Sequence, residues 1–312
     1  MKKIACSFLL CVMMCATAFT QNESDFVTGR IITAYEGRAT SVVIPAQIGG
    51  IPITAIGDRA FFEKGLTSVT IPIGVTSIGR SAFADNQLTS VNIPAGVISI
   101  GRTAFAANLL TRVNIPNSVT HIWDYAFNEN QLTSVTIPSS VTSIGDGAFF
   151  ENQLTSITIP SSVTFIGALA FANNQLASVT IPSSVTFIGD TSFAFNQLTS
   201  VIIPAGVTNL GQNVFFSNRL TSVTIPSSVT SIGDGAFALN QLTSVTIPSS
   251  VVLIGRFAFL NNPLTSITIG ANVGLVGGGD SASLPTDFVT LYNNNGRRAG
   301  TYVFNNGRWM MR

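Results

Sequence analysis

The residues in this chain best placed for chemistry are four aspartates, Asp124, Asp146, Asp190 and Asp234, spaced 22 or 44 residues apart. If each turn of the chain stacks on the last, Asp124 and Asp146 lie about 4.8 Å apart, the spacing of neighbouring strands. That is near the separation of roughly 5 Å that a retaining glycosidase uses between nucleophile and acid. The competing reading is structural: an Asp just after a glycine corner caps a short helical turn, as Asp146 would before Ala148 and Phe149. The same column holds Arg80, Arg102 and Arg256, which a catalytic or calcium-binding column would not tolerate. Capping is therefore the preferred role, and no catalytic residue is assigned.

Other chemistry is thinner still. There is one histidine, His121. A Ser-His-Asp triad would have to use it, and nothing around it forms a nucleophile elbow. All three cysteines, Cys6, Cys11 and Cys15, fall in the first 18 residues. No Cys-His dyad or zinc cluster can be assembled from the rest. Gly277-Gly278-Gly279-Asp280 is a linker sequence rather than a phosphate loop. No metal or cofactor is expected.

The elements that position these residues come from a repeat. Ile-Pro recurs every 22 residues, from Ile71-Pro72 through Ile137-Pro138 and Ile159-Pro160 to Ile247-Pro248. A fixed period of this length means stacked supersecondary units, each in contact only with its neighbours. In residues 132–153, Val135 and Ile137 alternate with Ser134 and Thr136, so a short strand turns its apolar pair inward. Pro138 ends the strand, Val141 and Ile144 form the next inward pair, and Gly145 allows a tight corner. A Leu column, Leu66 to Leu264, and a Phe column, Phe61 to Phe259, become apolar spines on stacking. An Asn column, Asn86 to Asn262, can bond backbone groups of its own and adjacent coils. The fold class follows: a β-rich (α/β-type) repeat solenoid of about eleven right-handed coils. It carries a short strand on one face and turns with short helical corners on the other.

Composition sets the surroundings. Only 9% of residues are charged and the net charge is +1, against roughly a quarter charged in ordinary domains. Nothing steers the chain toward nucleic acid or an anionic membrane. Residues 1–18 read as a secretory signal: Lys2 and Lys3, an apolar stretch over residues 4–15, and Ala16-Thr17-Ala18 as the cleavage pattern. Acylation at Cys11 or Cys15 is a weaker option, because Leu10 and Met14 stand where a small residue is expected. An N-terminal cap and first irregular repeat follow over 19–57, then the array over 58–276. A linker is expected over 277–287 and a C-terminal β cap over 288–312. In that cap, Phe288 to Tyr292 and Thr301 to Phe304 read as strands near the turn signals Asn295-Gly296 and Asn306-Gly307.

Binding is sought where the repeat varies without structural need. The strand face is nearly uniform Ser and Thr, broken by Asn92, Arg112, Asn114 and Ile202. The Ser before the Ile-Gly corner becomes His121, Phe165, Phe187 and Leu253. Trp123 and Tyr125 flank Asp124 in the one repeat that lost its corner glycine, and Phe195 stands in a turn. Arg112, His121, Trp123, Tyr125, Phe165, Phe187 and Phe195 are the candidate protein-contact residues, with Phe165 and Phe187 expected to form a patch in adjacent coils. Extra hydrophobic cover for the coil is the competing account.

The pattern L-x-x-V-T-I-P-x-x-V-T-x-I-G-x-x-A-F-x-x-N resembles the BspA-like leucine-rich repeat, also called the Treponema pallidum type. Its elements stand together in Ile159-Pro160, Val163-Thr164-Phe165-Ile166-Gly167 and Ala170-Phe171. The resemblance spans roughly residues 40–276. The commoner family repeat is one residue longer and often has Cys where this chain has Asn. The tail from Tyr292 to Tyr302 is similar to the ends of spirochaetal members. The resemblance implies a secreted or surface protein of a host-associated microbe, adhesion to host matrix or plasma proteins or to other bacterial surface proteins, and no shared catalytic residues. A periplasmic or envelope scaffold is the alternative, with an Asp-column carbohydrate hydrolase behind it.

Overall fold

A computed structural model describes residues 21–277 and 282–312. The expected signal over residues 1–18 with all three cysteines, and Gly278, Gly279, Asp280 and Ser281 of the expected linker, lie outside the described residues. The chain winds into a solenoid of about eleven turns with a period near 22 residues.

Two lines of parallel strands run along the solenoid, where the sequence had suggested one. The first contains the expected Ser-Val-Thr segments, among them Ser68–Thr70, Ser90–Asn92, Arg112–Asn114, Ser222–Thr224 and Ser266–Ile269. Between Asn114 and Thr180 it thins to single bridges, Asn114 to Thr136, Thr136 to Thr158 and Thr158 to Thr180. The second line is built from the dipeptides before the corner, including Ser99–Ile100, His121–Ile122, Ser143–Ile144, Phe165–Ile166 and Phe187–Ile188. It is the more continuous: seven successive dipeptide strands, Ala55–Ile56 to Phe187–Ile188, join the strands Phe26–Thr28 and Ile31–Tyr35 in one sheet of nine. Such two-residue strands show no alternation long enough to read from sequence. Both lines are interrupted between the coil holding Phe187 and the coil holding Asn209.

The corners are not helical. Each coil instead has two left-handed residues, for instance Tyr125 (φ 56°) and Glu129 (φ 50°), then Gly147 (φ 57°) and Glu151 (φ 52°). Left-handed backbone interrupts any helix. The freed N–H groups bond the next coil: Gly147 to the Ala168 carbonyl at 2.7 Å, Phe149 to Ala170 at 2.9 Å and Glu151 to Ala172 at 3.1 Å. The corner glycine also has a different role from the one expected. Gly145 is not left-handed; a Cβ there would meet the Asp124 Oδ1 at 2.6 Å and its backbone N at 2.7 Å. It allows the coil below to approach, rather than the chain to turn.

Burial follows the columns. Leu88, Leu132 and Leu176, and Phe83, Phe127 and Phe171, are fully buried. Phe rings of successive coils stack at 5.0 to 5.7 Å from Phe61 to Phe259. The buried Asn column binds as the sequence suggested. Asn152 donates from Nδ2 to the carbonyls of Phe127 (2.9 Å), Phe149 (3.2 Å) and Phe150 (3.3 Å), and its Oδ1 accepts from the Leu132 N–H at 3.0 Å. One amide thus ties two coils together at four backbone points.

The ends are closed differently from each other. At the N-terminus, Phe26–Thr28 pairs antiparallel with Ile31–Tyr35, and Tyr35 stacks on Phe61 at 5.3 Å. At the C-terminus the run Phe288 to Tyr292, read from sequence as a strand, lies instead in the helix Thr286–Asn294. Phe288 and Tyr292 sit one helical turn apart and are both buried. The Tyr292 hydroxyl donates to the Gly270 carbonyl at 2.6 Å and accepts from the Val273 N–H at 3.1 Å, and burial pushes its pKa up. The strands Gly300–Asn305 and Arg308–Met311 then form a hairpin over Ser266–Ile269.

Two substitutions test this framework. Asn152→Ala orphans the Leu132 N–H and Phe127 carbonyl in a dry interior. It should cost about 3 kcal/mol and make urea unfolding biphasic, because each coil depends on its neighbours. Ser192 is fully buried with no partner for its hydroxyl, in a column otherwise filled by residues such as Ala148 and Ala170. Ser192→Ala should therefore stabilise by about 1 kcal/mol in the same experiment.

Candidate functional site

The second strand line carries three of the seven candidate contact residues, His121, Phe165 and Phe187, on one stripe. His121 is in register with Ser143, Ser143 with Phe165, and Phe165 with Phe187. The backbone alternation that buries Ile122, Ile144, Ile166 and Ile188 turns each preceding side chain outward. Phe165 and Phe187 are 36% and 50% exposed, and their rings stack at 4.8 Å and 3°. Parallel register enforces this: identical residues at one repeat position stand about one strand spacing apart. His121 continues the stripe two coils away. Its ring lies 6.1 Å from Trp123, and its Nδ1 is 2.9 Å from the Thr120 hydroxyl.

Trp123 is exposed at the position where other coils have glycine. Pairing with the coil below shrinks there to Ile100 with Ile122 alone. Tyr125 is half-buried, and its ring lies over Gly147, where a Cβ would come within 2.3 Å of it. Phe195 is exposed at a left-handed corner position and packs edge-on with Phe216 at 5.3 Å, rather than with Phe165 or Phe187. Arg112 departs furthest from the group: it stands in Arg112–Asn114 on the first strand line. The structure therefore gathers His121, Trp123, Phe165 and Phe187 along one stripe and leaves Phe195 and Arg112 on other parts of the coil.

The aspartate column is occupied by capping, though not of its own turn. Each carboxylate reaches forward one coil. The Asp124 Oδ1 accepts from the Asp146 N–H at 3.0 Å, Asp146 from Ala168 at 2.8 Å, Asp190 from Gln212 at 2.8 Å and Asp234 from Arg256 at 2.7 Å. Asp58 belongs to the same series, accepting from Arg80 at 2.7 Å. The sequence placed the cap within one helical turn; without a helix, the free N–H belongs to the next coil. The Asp124 Oδ2 is held by Arg102 at 2.8 Å. Among the described residues no group of three or more His, Cys, Asp or Glu could hold a metal ion, and no helix is long and apolar enough to cross a membrane.

This inter-coil capping predicts a graded response. Asp146→Asn keeps an Oδ1 acceptor and should lose little stability. Asp146→Ala should cost about 1 kcal/mol. Equal losses in thermal unfolding would contradict the hydrogen bond to Ala168.

Solved structures similar to this chain are bacterial leucine-rich repeat proteins. One from Bacteroides ovatus is 23% identical, with a TM-score of 0.59, covering 80% of this chain and 82% of its own. A leucine rich cell surface protein from Faecalibacterium prausnitzii is 27% identical, with a TM-score of 0.51, covering 90% and 91%. The pneumococcal vaccine antigen PcpA is 21% identical, with a TM-score of 0.56, covering 79% and 67%. No curated protein matches the chain. The family model for the BspA type leucine rich repeat region matches residues 54–177 and 165–278 in six copies. With that span matched and the same coil present in three dimensions, the chain belongs to the BspA-type leucine-rich repeat family.

Proposed function

We propose that this chain is a non-enzymatic binding protein, secreted or exposed at the cell surface, that acts like an adhesin on extracellular host proteins. The observation that carries the reading is the exposed Phe165–Phe187 stack, two adjacent coils with an aromatic ring at a position that Ser, His or Asn fills in most others. Fold demand does not explain it, because Ser77, Ser99, Ser143 and Ser231 fill the same position in other coils. Exposed aromatic pairs beside polar residues are what the centre of a protein interface uses. Trp123 and His121 extend the stripe, giving several weak contacts along one edge rather than one deep pocket. The similarity to a cell surface protein of Faecalibacterium prausnitzii and the signal-like N-terminus support an exported location.

The reading is tested on two levels. Protease added to intact source cells should digest the solenoid; protection until lysis would instead favour an envelope scaffold with bacterial partners. Binding to immobilised plasma and matrix proteins should then fall about tenfold for the double variant Phe165→Ser, Phe187→Ser, with the unfolding transition unchanged. Undiminished binding by a folded double variant would remove the aromatic stripe from the interface.

A further inference from the structure

The first strand line has a second irregularity, away from the aromatic stripe. Its outward positions are Ser and Thr in nearly every coil, yet three departures fall on two adjacent coils: Asn92, Arg112 and Asn114. The strands Ser90–Asn92 and Arg112–Asn114 are paired in register, which sets Asn114 beside Asn92 and Arg112 beside Ser90. All three side chains are exposed. Among the described residues, none of the three has a side-chain hydrogen bond or ion pair. Arg112 is the one charged residue on the Ser-Val-Thr strands from Ser41–Val43 to Ser266–Ile269.

These residues line a run of three adjoining hollows. One of about 320 Å³ is bounded by Ser90, Asn92, Arg112 and Asn114. A second, of about 400 Å³, shares Ser90 and Arg112 and is edged by the hydroxyls of Thr89, Thr111, Thr133 and Ser134. A third, of about 470 Å³, shares Asn92 and Asn114 and ends against Ile73, Pro94 and Pro116. Together they form a shallow groove along the strand direction, with one cation, Arg112, near its middle and neutral donors and acceptors on both sides.

We infer that this groove binds an oligosaccharide carrying a uronic-acid carboxylate, held by the Arg112 guanidinium and by the amides of Asn92 and Asn114. A guanidinium fork matches a carboxylate in bidentate geometry. Ser and Thr hydroxyls and Asn amides can each donate and accept, as sugar hydroxyls require. An acidic peptide fits less well. One cation cannot match a run of carboxylates, and neighbouring coils, at Ser68–Thr70 on one side and Thr136 on the other, cover both edges of this strand pair against a peptide main chain. The groove also has no exposed aromatic anchor of the kind protein interfaces centre on. An open site of this kind gives dissociation constants of about 1 mM for one frame, strengthened when a polymer engages the surface repeatedly.

The test uses the full chain and three probes: trigalacturonate, the neutral maltotriose and a hexaglutamate peptide. Trigalacturonate should bind saturably and weaken as salt rises. Arg112→Ser should weaken it at least about tenfold, the cost of losing a charge-assisted bidentate contact. Asn92→Thr with Asn114→Thr should weaken it about threefold. Each variant restores the residue that other coils carry, such as Ser134 and Thr136, so its fold is that of the repeat itself. Maltotriose and hexaglutamate should bind more weakly. The inference is overturned if trigalacturonate shows no saturable binding, if Arg112→Ser leaves its affinity unchanged, or if maltotriose or hexaglutamate binds as tightly.

Discussion

The structure depends on a buried amide repeated once per coil. A turn packed against another turn leaves backbone N–H and C=O groups facing a dry interior, where each unpaired group is costly. The Asn column removes that cost across the joint between coils. Asn130 accepts from the Leu110 N–H and donates to the carbonyls of Phe105, Phe127 and Asn128. No apolar residue could do this, and Asp could not donate to the carbonyls. Because the amide spans two coils, neither closes properly without the other. The Leu and Phe spines then supply the burial that makes stacking favourable, and the aspartates fasten the corner from one coil to the next.

Cohesion of this kind is local and additive, so an irregularity stays at its own joint. Trp123 at a glycine position reduces the second strand line to one residue pair at that joint. Both strand lines part between the coils of Phe187 and Asn209, while the Phe stack crosses the same joint at 5.7 Å. The column of aromatic rings and amides is the continuous element. The strands are short consequences of it, which is why their pairing lapses first.

That hierarchy explains what the sequence could and could not convey. Columns repeated nine or ten times announced the solenoid, its inward residues and the amide ladder, because burial imposes one residue type per position. The second strand line was hidden, since two residues such as Phe165–Ile166 have no period to detect. The corner misled because Asp-Gly-Ala-Phe resembles a capped helix. Only the positive φ of residues such as Tyr125 and Leu169 shows that the chain reverses hand there and lends its N–H groups to the next coil. The C-terminal run Phe288 to Tyr292 was equally ambiguous, with apolar residues that suit strand or helix. The contact with the last coil, through the Tyr292 hydroxyl, settles it as helix.

In a protein whose coils are nearly interchangeable, departures from the repeat are the positions to examine for function, once they are sorted by what the fold requires. The lost glycine at Trp123 disturbs stacking, so it has a structural cost. Phe165, Phe187, Arg112, Asn92 and Asn114 replace Ser or Thr at outward positions where the repeat works equally well without them. Sequence alone could identify these substitutions but grouped Arg112 with the aromatic residues. Register separates them: the aromatics fall on the second strand line, and Arg112 falls on the first beside the two asparagines. One coil architecture thus presents two chemically distinct faces, a stripe with exposed aromatic rings and a polar groove with a single cation. Neither face needs the other, since the coil between them is set by residues that do not vary.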